Sequence, residues 1–198
     1  MGGTDMEDEK TVTNLSIRAA YDSLEEIVGE KARNIIFKNS NLTALLESPP
    51  PYDWNKEFTY KEQLLIYQET IKLIGPVGAQ GVIRQIGYKN AYHLEQLKVI
   101  DYLKDFAPEE RYENCVKLLS VAIGRGRLAS DTNGRTVFDV FDCTACDGAK
   151  STKPYCSQYS GALQFFADWS FGKGTYIVLE KKCKAMGDKT CFFELEEK

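Results

Sequence analysis

The chain contains 198 residues, of which 43% are hydrophobic and 27% are charged, a composition typical of soluble globular proteins. A chain of this length buries about 70% of its unfolded surface, so it needs no disulfide to fold. The net charge of −4 is opposite to the basic surface of nucleic-acid-binding proteins, and no apolar run approaches the roughly 18 residues of a membrane span. We therefore expect neither a nucleic-acid partner nor a membrane-spanning segment.

The N-terminal residues are mostly polar and acidic. They lack the basic and apolar segments of a secretory signal, and Met6 stands where a myristoylation motif needs Ser or Thr. We predict a cytoplasmic protein in which residues 1–12 form a disordered acidic tail. No repeat or long linker follows, so residues 13–198 are expected to form a single domain.

The first 120 residues show the spacing of amphipathic helices, because apolar residues recur at intervals of three and four. Thr59 and Glu62 form a capping box, which predicts a helix from Tyr60 to about Leu73, and Gly75-Pro76 ends that helix. Further helices are predicted over residues 14–28, 30–38 and 108–123.

After Gly126 the chain contains short stretches rich in β-branched and aromatic residues, which favour strands. Asn133-Gly134 predicts a hairpin between residues 127–130 and 135–143. A helix over residues 157–170 precedes two strands, over residues 174–182 and 190–196. The expected fold class is α+β, with a helical layer (about 13–124) packed on an antiparallel sheet of about four strands in a cysteine-rich part (about 125–198).

Five of the six cysteines lie in this second part, and Cys115 stands apart. In a reducing compartment such cysteines are metal ligands or redox groups more often than disulfides. If the terminal hairpin turns at Gly187, Cys183 faces Cys191 with Cβ atoms about 4.5–5.5 Å apart, and Cys156 at a helix start gains thiolate character.

Glu180 lies three residues before Cys183, where a bulge could bring its carboxylate to the same point. Three thiolates and one carboxylate would form a closed, structural zinc site. Two alternatives stay open from the residues alone, namely buried cysteines that act as small hydrophobic side chains and a redox-active disulfide.

The tail pattern Cys156-x4-Gly161, Gly172-x-Gly174, Glu180-x2-Cys183-x3-Gly187-Asp188-x2-Cys191 resembles the 4-vinyl reductase (hydrocarbon-binding) domain family. The resemblance covers roughly Cys143 to the C-terminus. It implies a zinc ion held by Cys156, Glu180, Cys183 and Cys191, as in the family's phenol-sensing regulators. It also implies a fold like that of the TRAPP subunits, which dimerise through their helices, and an apolar cavity for a small molecule beside the sheet.

The sequence departs from those regulators in two ways. It shows no ATPase domain or winged helix, so we expect any regulatory output to pass through a protein partner. It also contains the additional pair Cys143-x2-Cys146, which is compatible with a thiol redox switch, with half of a metal site, or with two incidental cysteines. A cluster of this pair with Cys156 would also permit iron–sulfur chemistry, although no ferredoxin-like spacing is present.

An apolar stripe follows Cys156 on the predicted helix. Tyr159, Leu163 and Phe166 share one face, and Trp169 lies on the adjacent one. Such stripes are ordinary core in most proteins, but the wall of a ligand cavity has the same pattern. We assign these four residues to ligand binding as a hypothesis. His93, the single histidine, has no nucleophile motif near it and is not expected to be catalytic.

Three functions remain as hypotheses. The first is a sensor or adaptor that binds a hydrophobic or aromatic molecule, contains a structural zinc ion and forms a homodimer. The second is an accessory protein of tetrapyrrole vinyl-group reduction, as the family name suggests. The third is a thiol redox switch that uses Cys143 and Cys146. Because no nicotinamide or flavin site is recognisable, we expect no catalysis by the chain alone.

Overall fold

The computed structural model describes residues 11–130, 134–146 and 148–198. The chain divides into two compact units, of which the first ends at Val82 and the second spans Ile83–Lys198. Residues 1–10 of the predicted tail lie outside the described residues, whereas Thr11 and Val12 form a short strand. The single-domain organisation stays a prediction, and the two units are described separately.

The first unit begins with two consecutive helices, α1 (Asn14–Val28) and α2 (Glu30–Asn39). Gly29 separates them with a φ of 85°, a conformation that favours glycine. Strand β1 (Thr11–Val12) pairs antiparallel with β2 (Phe58–Thr59). Both helices were predicted within one residue of these bounds. Apolar side chains on their inner faces are fully buried, among them Leu15, Leu24, Ile36 and Phe37.

The predicted capping box is present at the start of α3 (Tyr60–Gln96). The Thr59 N–H donates to Glu62 Oε2 at 2.7 Å, and the Glu62 N–H donates to Thr59 Oγ1 at 3.2 Å. The α3 range contains one non-helical residue, Gly75, with φ 78° and ψ 160°, directly before Pro76. The helix beginning at Tyr60 therefore ends at the predicted Gly75-Pro76 break, and a second helical segment starts at Pro76.

The second unit contains a four-stranded antiparallel sheet in the order β3-β4-β6-β5. The strands are β3 (Gly126–Ser130), β4 (Thr136–Val140), β5 (Tyr176–Lys182) and β6 (Cys191–Glu197). Strands β3 and β4 pair as the predicted hairpin, although Asn133 lies outside the described residues. Helix α4 (Pro108–Ile123) packs on β3, and α5 (Ser157–Phe171) packs on β5. The predicted α+β architecture is thus confirmed.

Two glycines allow the backbones of α3 and α5 to touch in the second unit. A Cβ atom on Gly161 would lie 1.8 Å from the carbonyl oxygen of Arg84, and one on Gly87 would lie 1.9 Å from that of Gln158. Glycine costs a helix about 1 kcal/mol relative to alanine. The close approach of the two backbones explains why both helices contain it here.

Gln164 connects α5 to strand β5, which lies at the edge of the sheet. Its Oε1 accepts the Val178 N–H at 3.0 Å, and its Nε2 donates to the Tyr176 carbonyl at 3.0 Å. These bonds satisfy backbone groups that an edge strand otherwise leaves open. The position and tilt of α5 are therefore set by one glycine contact and one glutamine side chain.

No helix in the described part of the chain combines the length and the hydropathy needed to cross a membrane.

Candidate metal centre

Five cysteines from separate segments of the second unit meet at the start of α5. Cys143 follows β4, Cys146 ends a short 3-10 turn, and Cys156 caps the N-terminus of α5. Cys183 follows β5, and Cys191 begins β6. All five side chains are buried, with at most 6% of their surface exposed. None of them forms a disulfide.

The five sulfur atoms form a compact cluster around Cys146 and Cys156. Cys146 Sγ lies 3.0 Å from Cys156 Sγ, 3.6 Å from Cys183 Sγ and 3.5 Å from Cys191 Sγ. Cys156 Sγ is 3.2 Å from Cys143 Sγ and 3.5 Å from Cys191 Sγ. Hydrogen bonds with Cys143 and then with the other thiols lower the pKa of Cys146, which favours its thiolate form.

Glu180 completes the cluster from strand β5. Its Oε2 accepts the backbone N–H of Cys156 at 2.8 Å. Its Oε1 is buried and has no hydrogen-bond partner among the described residues. Burial raises the pKa of Glu180 to about 8, because a buried carboxylate without a counter-charge is costly. A bound cation would supply the missing partner.

The hairpin geometry explains how Glu180 and Cys183 reach the same point. The pairing of β5 with β6 shifts between Glu180 and Lys182, where a β-bulge interrupts the ladder. Beyond the bulge Lys182 lies opposite Phe192, and one further step along each strand brings Cys183 opposite Cys191. The bulge turns the carboxylate toward the cysteine side of the hairpin, as the spacing of Glu180 and Cys183 had suggested.

Backbone hydrogen bonds support the sulfur ligands at the hairpin turn. The Cys183 N–H donates to the Asp188 carboxylate at 2.8 Å, and the Lys184 N–H donates to Cys191 Sγ at 3.3 Å. Gly187 has a φ of 100°, which glycine adopts without strain. Asp188 is part of the tail pattern but had no predicted role, and its bond to Cys183 shows that it orients the turn.

Two overlapping sets of four residues have ligand atoms that all lie within 4.8 Å of one another. They are Cys143, Cys146, Cys156 and Cys191, and Cys156, Glu180, Cys183 and Cys191. Sulfurs around one tetrahedral ion with bonds of about 2.3 Å would be about 3.8 Å apart. The observed contacts of 3.0–3.6 Å are therefore close to those of a mononuclear site. An iron–sulfur cluster would hold its thiolates further apart, because each binds a different iron or a different side of the cluster.

The predicted ligand-binding stripe lies in the core of the second unit. Tyr159, Leu163 and Phe166 are 8%, 0% and 1% exposed. The Tyr159 ring lies 6.1 Å from that of Phe193 on β6. Trp169 is half-buried. The binding role of this stripe stays a prediction.

Two surface concavities of about 370 and 420 Å³ are described in the second unit, and neither is lined by the stripe. The first lies beside Arg84, Gln164 and Asp168. The second lies beside Arg127 and Asp139.

The other two candidate groups lie elsewhere in the second unit. Cys115 is buried in α4, where burial raises the pKa of its thiol to about 12, so it is an unreactive core residue. His93 is buried on α3, with its ring 5.9 Å from that of Tyr92. Neither belongs to the two ligand sets described above.

Solved structures with the same fold include two kinds of protein. An H-NOX protein from S. oneidensis, in the Fe(II)NO ligation state, aligns with a TM-score of 0.62 at 13% identity, over 94% of this chain and 99% of that one. The phenol-responsive sensory domain of the transcription activator PoxR, solved with phenol, aligns with a TM-score of 0.53 at 13% identity, over 68% of this chain and 72% of that one. At these identities the similarity demonstrates a shared fold.

Among curated proteins, no sequence matches this chain. The profile of one family, the 4-vinyl reductase domain, matches its C-terminal part, however. The matched residues, 136–197, contain the sheet strands β4 to β6, helix α5 and all five clustered cysteines. The predicted relation to the 4-vinyl reductase domain family is therefore confirmed over residues 136–197.

Proposed function

We propose that this protein is a small-molecule sensor or adaptor module whose 4-vinyl reductase region is stabilised by one structural zinc ion. The observation that carries this proposal is the convergence of Cys156, Glu180, Cys183 and Cys191 within 4.8 Å. The buried Glu180 Oε1 without a hydrogen-bond partner in the described residues supports a cation at this point. Zinc suits the set because thiolate and carboxylate are both among its usual ligands.

The role proposed for the metal is structural. Four protein ligands fill a tetrahedral shell and leave no open position for water or substrate. The ligands come from the start of α5, the end of β5 and the start of β6. An ion there would hold the helix against the terminal hairpin, and catalysis by the chain alone is not part of the proposal.

The ligand proposed is a small hydrophobic or aromatic molecule. The fold is shared with a phenol-responsive sensory domain, and helix α5 presents Tyr159, Leu163, Phe166 and Trp169 in successive turns. A metal at Cys156 would fix the first turn of this helix and with it the orientation of the stripe. Metal and ligand binding should therefore be coupled.

We also propose a homodimer that acts through a regulatory protein partner. The dimer follows from the helical layer and from the family resemblance. A cytoplasmic location fits the five clustered thiols, which a reducing compartment keeps available for metal binding. Light scattering at micromolar concentration tests the assembly, and the mass of a single chain would contradict it.

Elemental analysis together with native mass spectrometry of the purified protein tests the metal proposal. We expect about one zinc per chain, and its loss in the double variant Cys183→Ser/Cys191→Ser. Stoichiometric zinc in that variant would contradict the ligand set. A saturable change in the fluorescence of a hydrophobic probe, weakened by chelator, would support the ligand proposal, and no saturable binding in the parent protein would refute it.

A further inference from the structure

The CxxC pair lies inside the proposed metal site and not beside it. Cys156, Cys183 and Cys191, called the thiolate triad below, are the three sulfur ligands of the proposed site. Cys146 Sγ is in contact with every member of the triad, at 3.0, 3.6 and 3.5 Å. A tetrahedral ion bound by the triad has one position left, and two different side chains reach it.

We propose that Cys146 is a further metal ligand, which competes with Glu180 for the fourth position beside the thiolate triad. The inference rests on the proposed function, because it assumes an ion at the triad. It adds a second, all-thiolate coordination mode of the same ion. The metal content stays at one ion per chain in either mode.

Distance and attachment favour an exchange between the two side chains. The Glu180 carboxylate lies within 4.8 Å of each sulfur of the triad and is also held by the Cys156 N–H at 2.8 Å. Cys146 approaches the triad from the short turn after β4. When Cys146 leaves the ion, Glu180 can enter from strand β5, and the Cys156 N–H remains bonded to a carboxylate oxygen.

The electrostatic balance of the site is the same in both modes. Three thiolates with either a fourth thiolate or a carboxylate carry four negative charges, so a divalent ion leaves the same net charge of about −2 in each case. The exchange therefore adds no buried charge, which would be costly. The residue that is not bound takes up a proton and stays neutral.

The nature of the ion decides which mode is favoured. Soft ions prefer thiolate over carboxylate, whereas zinc accepts both. We expect cadmium to select Cys146 and zinc to use either ligand. A redundant fourth ligand also explains why a chain with the family's zinc pattern contains an additional CxxC pair.

Cys143 is the matched control within the pair. Its sulfur contacts Cys156 at 3.2 Å and shares a ligand set with Cys191, but Cys146 contacts the entire triad. Substitution of Cys143 should therefore leave the fourth position intact. This distinction separates a specific role of Cys146 from a general need for the pair.

The test measures zinc affinity of the full chain by competition with a chromophoric chelator. Cys146→Ser and Glu180→Gln should each stay within about threefold of the parent, because the other ligand replaces the one removed. The double variant Cys146→Ser/Glu180→Gln should bind at least about 100-fold more weakly, beyond the effect typical of residues outside the ligand shell. The control Cys143→Ser/Glu180→Gln should behave like Glu180→Gln.

Cadmium-113 NMR of the parent protein provides a measurement that needs no variant. The resonance position depends on the number of sulfur ligands, and we expect four sulfurs. A signal for three sulfurs and one oxygen would overturn the proposal. Zinc affinity as weak in Glu180→Gln as in the double variant would also overturn it and leave the proposed function intact, whereas a parent protein without bound metal would refute both.

Discussion

The two ends of helix α5 are built in different ways. At its N-terminus Cys156 lies among four other buried thiols and a buried carboxylate oxygen that lacks a partner among the described residues. Further along, Gly161 touches the Arg84 backbone, Gln164 bonds to strand β5, and Phe166 is 1% exposed in the core. The protein alone satisfies the second region, and the first is satisfied only with an ion.

This comparison explains why one stretch of sequence contains two kinds of motif. Residues that hold an ion must be chemically specific but can come from distant segments. Residues that hold a backbone contact must be small, and their chemistry matters little. Perturbations at the two ends should therefore differ both in size and in their dependence on metal.

Removal of the metal should have the largest effect. We expect treatment with a strong chelator to lower the free energy of unfolding of the second unit by about 5 kcal/mol or more. This is less than the roughly 10–16 kcal/mol of zinc-finger peptides, because the unit has an apolar core of its own. Calorimetry with and without chelator measures the change. Cys115→Ala should keep the ion, and equal stability of the parent in both conditions would contradict a structural metal.

Truncation in the core should come next. Phe166→Ala is expected to cost about 3–5 kcal/mol, as for other fully buried phenylalanines, and the cost should persist in chelator. Denaturant unfolding measures it, and Val121→Ala, at an 83% exposed site, should stay within about 0.5 kcal/mol. If Phe166→Ala instead alters probe affinity with little loss of stability, the stripe lines a cavity.

The glycine contact should be intolerant of a single methyl group. Gly161→Ala places a Cβ atom 1.8 Å from a backbone oxygen, so the helices must separate, and we expect a loss of about 2–3 kcal/mol. Gly81→Ala is the control, because no atom lies within 4 Å of its added Cβ and alanine favours helix by about 1 kcal/mol. Equal stabilisation by both variants, measured in the same unfolding assay, would mean that the two helices do not touch.

The smallest of these effects is expected at Gln164. Replacement by Leu keeps most of the volume but removes the bonds to Val178 and Tyr176, which should cost about 1–2 kcal/mol. Hydrogen exchange should show faster exchange of the Val178 amide, whose bond to the side chain is lost. An unchanged exchange rate at Val178 would show that the glutamine does not protect the edge strand.

Local signals predicted the secondary structure well. The Gly29 and Gly124 ends, the Thr59–Glu62 capping box and the break at Gly75-Pro76 act within one or two turns, so each can be recognised in a short window. The β5–β6 hairpin belongs to the same class, because its turn and its alternation lie close together in the chain. The metal set was reached in the same way, with the help of the family resemblance.

The sequence by itself therefore determined the elements, the α+β class and the cysteines available for a metal. Only the tertiary structure decided that Cys146 contacts Cys156, Cys183 and Cys191, since these contacts join segments up to 45 residues apart. The same holds for the contact of Gly161 with Arg84 and for the bonds of Gln164. Such juxtapositions depend on how helices and sheet pack, and packing is set by the whole unit rather than by any local pattern.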